Sequence, residues 1–207
     1  MTEIVDAPAS SLPVLDDAGR RLMFTDARTA GSFAPTPVSD AELREIWELA
    51  RWAPTAANLQ PMRVLFVRTD EGRARLLPHL AEGNRAKTAS APAVAVLAAD
   101  MHFHERIPEV FPIRPEMREP YDQDDALREL AASYNTSLQS AYFILAVRAV
   151  GLAAGPMAGF DAAGLDAELF PDGRLRTSLV VNIGHPGVDP WFPRLPRLAV
   201  DDVVAWA

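Results

Sequence analysis

The sequence predicts an α+β domain. Three short aliphatic runs read as strands, stretches of helical periodicity separate them, and a long segment without Gly or Pro lies between the second and third. A chain of 207 residues, 49% hydrophobic and 23% charged, suits one globular domain spanning 1–207.

Residues 1–13 carry Pro and Ser without periodicity and are expected to form a mobile arm. Leu15, Ala18, Leu22 and Met23 then suggest a short amphipathic helix within Val14–Phe24, and Gly31, Pro35 and Pro37 make a loop. Ser39 followed by Glu42 is a capping box, with Val38 and Leu43 as its hydrophobic staple. The helix it opens carries Leu43, Ile46, Trp47, Ala50 and Ala53 on one face and stops at Pro54. Between two prolines, PTAANLQP is a polar, small-residue loop of the kind that holds binding groups. Met62–Val67 reads as a buried strand, Asp70–Leu80 as a helix interrupted at Pro78, Gly83–Ser90 as a short helix and Ala93–Ala99 as a second strand.

Periodicity fails between Asp100 and Asp124, where prolines, charges and aromatics alternate; this suits an excursion over a site, residues 100–124. From Leu130 to Val150 Ala and Leu abound without Gly or Pro, so a helix of several turns is expected. Between Ala141 and Ala154 Arg148 is the one charge, so this helix must be covered on most sides, by the domain or by a second subunit. Gln139, Ser140 and Arg148 interrupt it too often for a membrane span. Gly151, Gly155, Pro156 and Gly159 end it and let the backbone approach something closely. Asp161 is placed as the N-cap of a helix to Phe170, Leu179–Ile183 as the third strand, and the tail FPRLPRLAVDDVVAWA as a segment reaching another subunit.

The charge of −8 and pI near 5.0 argue against nucleic-acid and anionic-membrane partners. Without cysteine there is no thiolate nucleophile, disulfide or iron–sulfur ligand. The acidic N-terminus lacks the basic start and apolar run of a secretory signal, so a cytoplasmic location is expected. There is no G-x-S-x-G elbow, P-loop or G-x-G-x-x-G. His102, His104 and Glu105 could meet at a metal on a strand, but histidines in a proline-rich segment more often line a pocket or face water, and no metal is expected. What remains is dispersed: Arg28-Thr29, Asn58 with Gln60, Asn84 with Lys87, Gly155–Gly159 and Arg194. Each has an ordinary reading, a snorkelling Arg or a loop Asn bonded to its own backbone, beside that of a cofactor ligand.

At Arg28-Thr29, PTAANLQP, GNRAKTASAPAVAVL, GLAAGPMAGFD and the closing RLP, the chain resembles the FMN-dependent nitroreductase family, in the family's order from Phe24 to the C-terminus. MFTDART, PVSDAELREI, the GNxxKTxxAP pattern, GPMAGFD, the NIG of VVNIGHP and RLPRL are together similar to its malonic semialdehyde reductase branch, which serves pyrimidine degradation. The resemblance implies a mostly antiparallel sheet flanked by helices, a long buried helix at a homodimer interface, FMN as cofactor and NADPH or NADH as hydride donor. The expected acceptor is malonic semialdehyde, reduced to 3-hydroxypropanoate; a broad-acceptor nitro or quinone reductase and a flavin-binding dimer without turnover are the alternatives.

Carried over by position, the resemblance places Arg28, Thr29 and Arg194 at the phosphate of FMN, where each charge-assisted hydrogen bond contributes roughly 1.5–3 kcal/mol. It assigns Pro54, Thr55, Ala56 and Asn58 to a loop reaching the flavin from the partner subunit. Asn84 and Lys87 address the pyrimidine edge of the ring, and Pro156, Met157, Ala158 and Gly159 match a strand end that runs along it and offers a backbone N–H to the hydride-accepting nitrogen. Two departures stand out. Arg28 is followed by Thr29-Ala30-Gly31-Ser32 where many relatives have a second basic residue, and Ala158 stands where a common branch has Glu. No catalytic residue is assigned. Arg106, Arg114 and Arg118 are candidates for the acceptor's carboxylate.

Overall fold

The computed structural model describes residues 12–207; the arm expected over 1–13 lies almost wholly outside them. Four strands, β1 (Met62–Val67), β2 (Ala93–Asp100), β3 (Ala153–Met157) and β4 (Leu175–Gly184), form one sheet in the order β1-β2-β4-β3, every neighbouring pair antiparallel. All eight residues of β2 are buried, because helices cover both faces of the sheet. Ala93, Ala95 and Leu97 point to one core and Val94 and Val96 to the other, as strand periodicity requires.

The helices follow in chain order. α1 (Asp17–Arg20) runs into a wide turn to Thr25, and none of its residues is buried, so the predicted amphipathic face has nothing to cover within one chain. α2 (Asp40–Ala50) begins at the expected capping box: the Glu42 N–H donates to Ser39 Oγ at 3.2 Å and the Ser39 N–H to Glu42 Oε2 at 2.7 Å. α3 (Asp70–Leu76) gives way to a tighter turn at Pro78, and α4 (Glu82–Ser90) follows. α5 (Ile107–Val110) and α6 (Glu119–Gln123) are single turns, α7 (Asp125–Ala149) is the central helix, α8 (Ala162–Leu169) is capped by Asp161 as expected, and α9 (Val200–Val203) lies in the tail. Among the described residues no helix is long and apolar enough to cross a membrane.

α7 spans 25 residues. It lays Phe143, Ala146 and Val147 on the core shared by α2 and the sheet, while α3 and α8 cover the opposite face through Leu76 and Leu165. The other side of α7 stays open: Leu130, Tyr134, Leu138 and Tyr142 are 69%, 62%, 36% and 42% exposed, an apolar stripe repeating every four residues. Its end is a Schellman motif. Gly151 takes φ 81°, its N–H donates to the Arg148 carbonyl at 2.9 Å, and the Leu152 N–H reaches back to Val147 at 3.1 Å. That turn sends the chain straight into β3.

Two segments differ from the sequence reading. β3 is a strand although AAGPM holds Gly and Pro; at the sheet edge a proline forfeits no ladder bond on its outer side. Gly155 is required there, since a Cβ would stand 2.9 Å from the Ala30 carbonyl. Residues 100–124 are helical turns rather than irregular chain. Pro108, Pro115 and Pro120 each sit in the first turn of a helical segment, where the missing N–H costs nothing. Phe103 and Ile107 bury against Leu59 and Ala132, and the Phe103 and Tyr121 rings meet edge-on with centroids 5.2 Å apart.

Buried His104 ties this segment together through Nε2, 3.1 Å from Asp122 Oδ1. Burial pushes its imidazole below the usual value; Asp122 and Glu105 pull the other way, and Arg128 and His102 add to the depression. A base with a depressed folded pKa leaves the unfolded chain to take the proton first, so stability falls as pH drops from about 6.5 toward the lower folded value. Urea midpoints should therefore decline from pH 7 to pH 5 in the native chain, and more shallowly in His104→Gln. Equal slopes would show that His104 titrates alike in both states.

Candidate functional site

Residues 27–32 and 188–194 meet beside the open edge of β3. The Ala30 N–H donates to the Ala154 carbonyl at 3.1 Å, which lays Arg28-Thr29-Ala30 against that edge. The tail returns along the same segment: Gly31 donates to the Pro190 carbonyl at 2.8 Å and Ser32 Oγ to that of Val188 at 2.7 Å. Arg28 Nη1 donates to the Phe192 carbonyl at 3.3 Å, and Arg194 Nη2 to that of Ala27 at 3.2 Å. Arg28 and Arg194, far apart in sequence, are thus brought onto the same crossing of chain segments, and Thr29 beside Arg28 is exposed. Arg28 lines a small pocket with Asp26, Arg148, Gly151, Ala153 and Trp191.

At the far end of β3 the chain crosses the start of α4. Asn84 Nδ2 donates to the Gly159 carbonyl at 2.9 Å, and so does the Ala81 N–H at 3.0 Å. A Cβ at Gly159 would lie 2.8 Å from Asn84 Nδ2, so a side chain there would displace that amide. Lys87, half-buried and just under one turn further along α4, makes no hydrogen bond or ion pair among the described residues. The N–H groups of Ala158 and Gly159 likewise donate to nothing among them.

Sequence reasoning missed what holds α4 in place. Its one buried residue is Thr88, whose hydroxyl donates to the Asn84 carbonyl at 2.8 Å and accepts from Asn182 Nδ2 of β4 at 3.1 Å. Asn182 is fully buried on a strand of valines and isoleucine, and a polar residue there was the available signal.

The third predicted group sits elsewhere. Pro54, Thr55, Ala56 and Asn58 form a loop in which Ala57, Asn58 and Gln60 take φ of 45°, 54° and 45°, left-handed values that non-glycine residues adopt at a cost. The Ala56 N–H donates to Oδ1 of buried Asn135 on α7 at 2.8 Å, and Asn58 Nδ2 to the Val110 carbonyl at 2.7 Å. Asn135 and Arg148 are 13 positions apart on one helix, so the loop stands roughly 20 Å along α7 from the Arg28 pocket. Within one chain these residues do not join the others. Arg106, Arg114 and Arg118 are exposed and each already holds a carboxylate, of Glu109, Glu116 and Asp122 respectively. Among the described residues no three possible metal ligands converge; His102 faces Glu105 and His104 faces Asp122.

The sequence profile of the Nitroreductase family matches residues 26–185. The chain belongs to that family. A Streptomyces coelicolor member, provisionally named as an NADH dehydrogenase/NAD(P)H nitroreductase, is 63% identical over 98% of this chain and 99% of its own length. One from Streptomyces griseus with the same name is 51% identical over 92% and 97%. Among solved structures, a provisionally named nitroreductase from Exiguobacterium sibiricum, determined in complex with FMN, superposes with a TM-score of 0.81 at 21% identity, covering 96% of this chain and all of the other. The nitroreductase-like fold is therefore the fold of this chain, with its antiparallel sheet between helical layers as expected.

Asn135 also donates through Nδ2 to the Ala131 carbonyl at 2.8 Å, so its amide is spent on two backbone groups. Asn135→Ala should lower unfolding free energy by about 0.5–1.5 kcal/mol, the net worth of one hydrogen bond at a partly buried site, as measured by urea titration, and should raise protease cleavage at the 55–60 loop. An unchanged midpoint would show that the loop does not depend on this contact.

Proposed function

We propose that this nitroreductase-family chain is an FMN-dependent oxidoreductase that passes a hydride from NADPH or NADH to a small acceptor, and that it works as a homodimer. The observation that carries the reading is the distribution along β3 of donors that meet no carboxylate among the described residues. Arg28, Thr29 and Arg194 gather at one end; Lys87 and the N–H groups of Ala158 and Gly159 gather at the other. The strand between, counted from Ala154 to Gly159, covers roughly 16 Å. Such a set fits a long molecule with a phosphate at one end and an electron-rich flat ring at the other, which is the chemistry of FMN.

When bound, FMN would supply the two-electron carrier that no side chain here can provide. The protein's part is positioning and charge. Arg28 and Arg194 would hold the phosphate through charge-assisted bonds. Lys87, fixed on α4 by Thr88, sets a positive charge where extra electron density would collect, favouring the reduced form. Gly159 keeps Asn84 close, and the free N–H groups offer donors at the ring.

The same reading explains the displaced loop. Residues 54–58 cannot reach their own β3, whereas the apolar stripe of α7 needs a cover. Two copies packed about a twofold axis on Leu130, Tyr134, Leu138 and Tyr142 would bring the loop of one toward the β3 edge of the other. Residues 100–124, bound to that loop through Leu59, Phe103 and Val110, would then form the excursion over the partner's site. In this arrangement the whole of 1–207 acts as one domain of a dimer.

For the acceptor, the branch motifs support malonic semialdehyde, which takes a hydride at its aldehyde carbon and a proton at its oxygen to give 3-hydroxypropanoate. One observation favours the second reading, a broad-acceptor nitro or quinone reductase: the three arginines considered for the substrate carboxylate are already paired. The Streptomyces relatives carry names of that kind. Steady-state kcat/KM for malonic semialdehyde against nitrofurazone and menadione decides between them.

The purified protein should be yellow, release FMN on denaturation and bleach anaerobically on addition of NADPH or NADH. A colourless protein that takes up no added FMN would sink the reading. Leu138→Arg, which places a charge on the stripe, should convert the dimer to monomer by sedimentation and lose FMN with it; a monomer that keeps FMN at native affinity would exclude a shared site. Lys87→Met should bind FMN but lower its midpoint potential, with kcat for NADPH oxidation falling on the order of tenfold or more. An unchanged potential would remove Lys87 from that role.

A further inference from the structure

Arg148 is the one charge in the apolar half of α7, and the Schellman turn that ends the helix points it toward the start of β3. It lines the same pocket as Arg28, a cavity of about 180 Å³ closed by Gly151, Ala153, Ala154 and Trp191. We propose that Arg148 is a third cation of the phosphate end, replacing from a different element the basic residue that Thr29-Ala30-Gly31-Ser32 lacks. This rests on the flavin reading above.

Three observations support it. First, Arg148 is half-buried yet has no carboxylate partner among the described residues; its one contact is a 3.5 Å donation from Nη1 to the Met23 carbonyl. Asp26, the carboxylate of the pocket wall, is committed to Arg21 at 2.8 Å. Second, burial alone draws the guanidinium below its usual range, and no nearby charge offsets that. A guanidinium stays protonated at neutral pH, so the site holds a desolvated positive charge that an anion would relieve. Third, Arg148 and Arg28 approach the cavity from α7 and from the edge of β3, so an anion between them would be gripped from two sides. A cation in the last turn of a helix also complements the helix dipole. That role is equally served from solvent and gives no reason to bury the side chain beside another arginine.

The test compares ligands differing only in the phosphate. Dissociation constants for FMN and riboflavin are measured by fluorescence with the native chain, Arg148→Met and Arg148→Lys, and thermal midpoints of the apo-proteins are taken with and without inorganic phosphate. Arg148→Met should weaken FMN at least about tenfold, the loss of one charge-assisted bond, and leave riboflavin within twofold. Arg148→Lys should recover part of the loss, and the phosphate-induced rise in midpoint should shrink in Arg148→Met. Equal weakening of FMN and riboflavin would make Arg148 a structural residue and overturn the proposal, as would an unaltered FMN affinity. A native chain that binds neither flavin but is stabilised by phosphate through Arg148 would reject the flavin reading while keeping the anion site; a native chain that binds neither flavin and shows no phosphate response would reject both.

Discussion

Buried on the sheet-facing side of α7, Asn135 and Gln139 accept the N–H groups of Ala56 and Met62 at 2.8 and 2.9 Å. An amide taken out of water without partners costs a few kcal/mol, so each is tolerable only while its backbone partner stays put. The helix and the loop are therefore conditions of one another. Gln139 starts β1 in register, Asn135 fixes the strained turn before it, and the strand then sets the pairing of β2 and, through it, of the rest of the sheet. An all-apolar helix could cover the same core, but it would leave residues 55–62 without a defined place.

The constraint also divides the molecule. Having spent one face on the sheet and the loop, α7 carries the loop near its N-terminal half and delivers the chain to β3 at its C-terminal end. One copy therefore holds the 54–60 loop and the Arg28 pocket apart, toward opposite ends of one rod. This separation follows from helix geometry and needs no special pleading. It makes the apolar stripe on the outer face of α7 part of the functional argument rather than surplus hydrophobic surface.

Much of this was legible in the sequence where local chemistry decides structure. The capping box at Ser39, the apolar run Met62–Val67 and the Asp161 cap lie where they were predicted, because each is specified by neighbouring residues. β3 shows only through the resemblance, which gives Pro156–Gly159 as a strand end; by residue type Gly155 and Pro156 contradict strand propensity, and its position at the sheet edge and the nearness of Ala30 explain them. The prolines of 100–124 read as breakers, but Pro has opposite meanings in the first turn of a helix and in its interior, and only the fold tells which applies. Arg28 and Arg194 were singled out by resemblance; their adjacency depends on the returning tail. Asn182 and Arg148 sat in plain view as lone polar residues in apolar runs, yet their partners lie on other elements.

Lys87 gives the last step. Of the 20 basic residues in the chain it alone is lysine. Elsewhere Arg does what its planar fork does well: Arg63 and Arg174 both grip buried Asp100, and Arg73 takes the carbonyls of Thr88 and Pro92. A chain that uses Arg for exposed ion pairs and buried brackets alike has no general need of Lys. Among the described residues no carboxylate pairs with the side chain at position 87. A compact ammonium on a flexible stem can place one full positive charge at a point without a second donor demanding a partner. The residue type, its lack of partners and the neighbouring Thr88–Asn182 latch together describe a half-buried positive point charge without a counter-ion among the described residues.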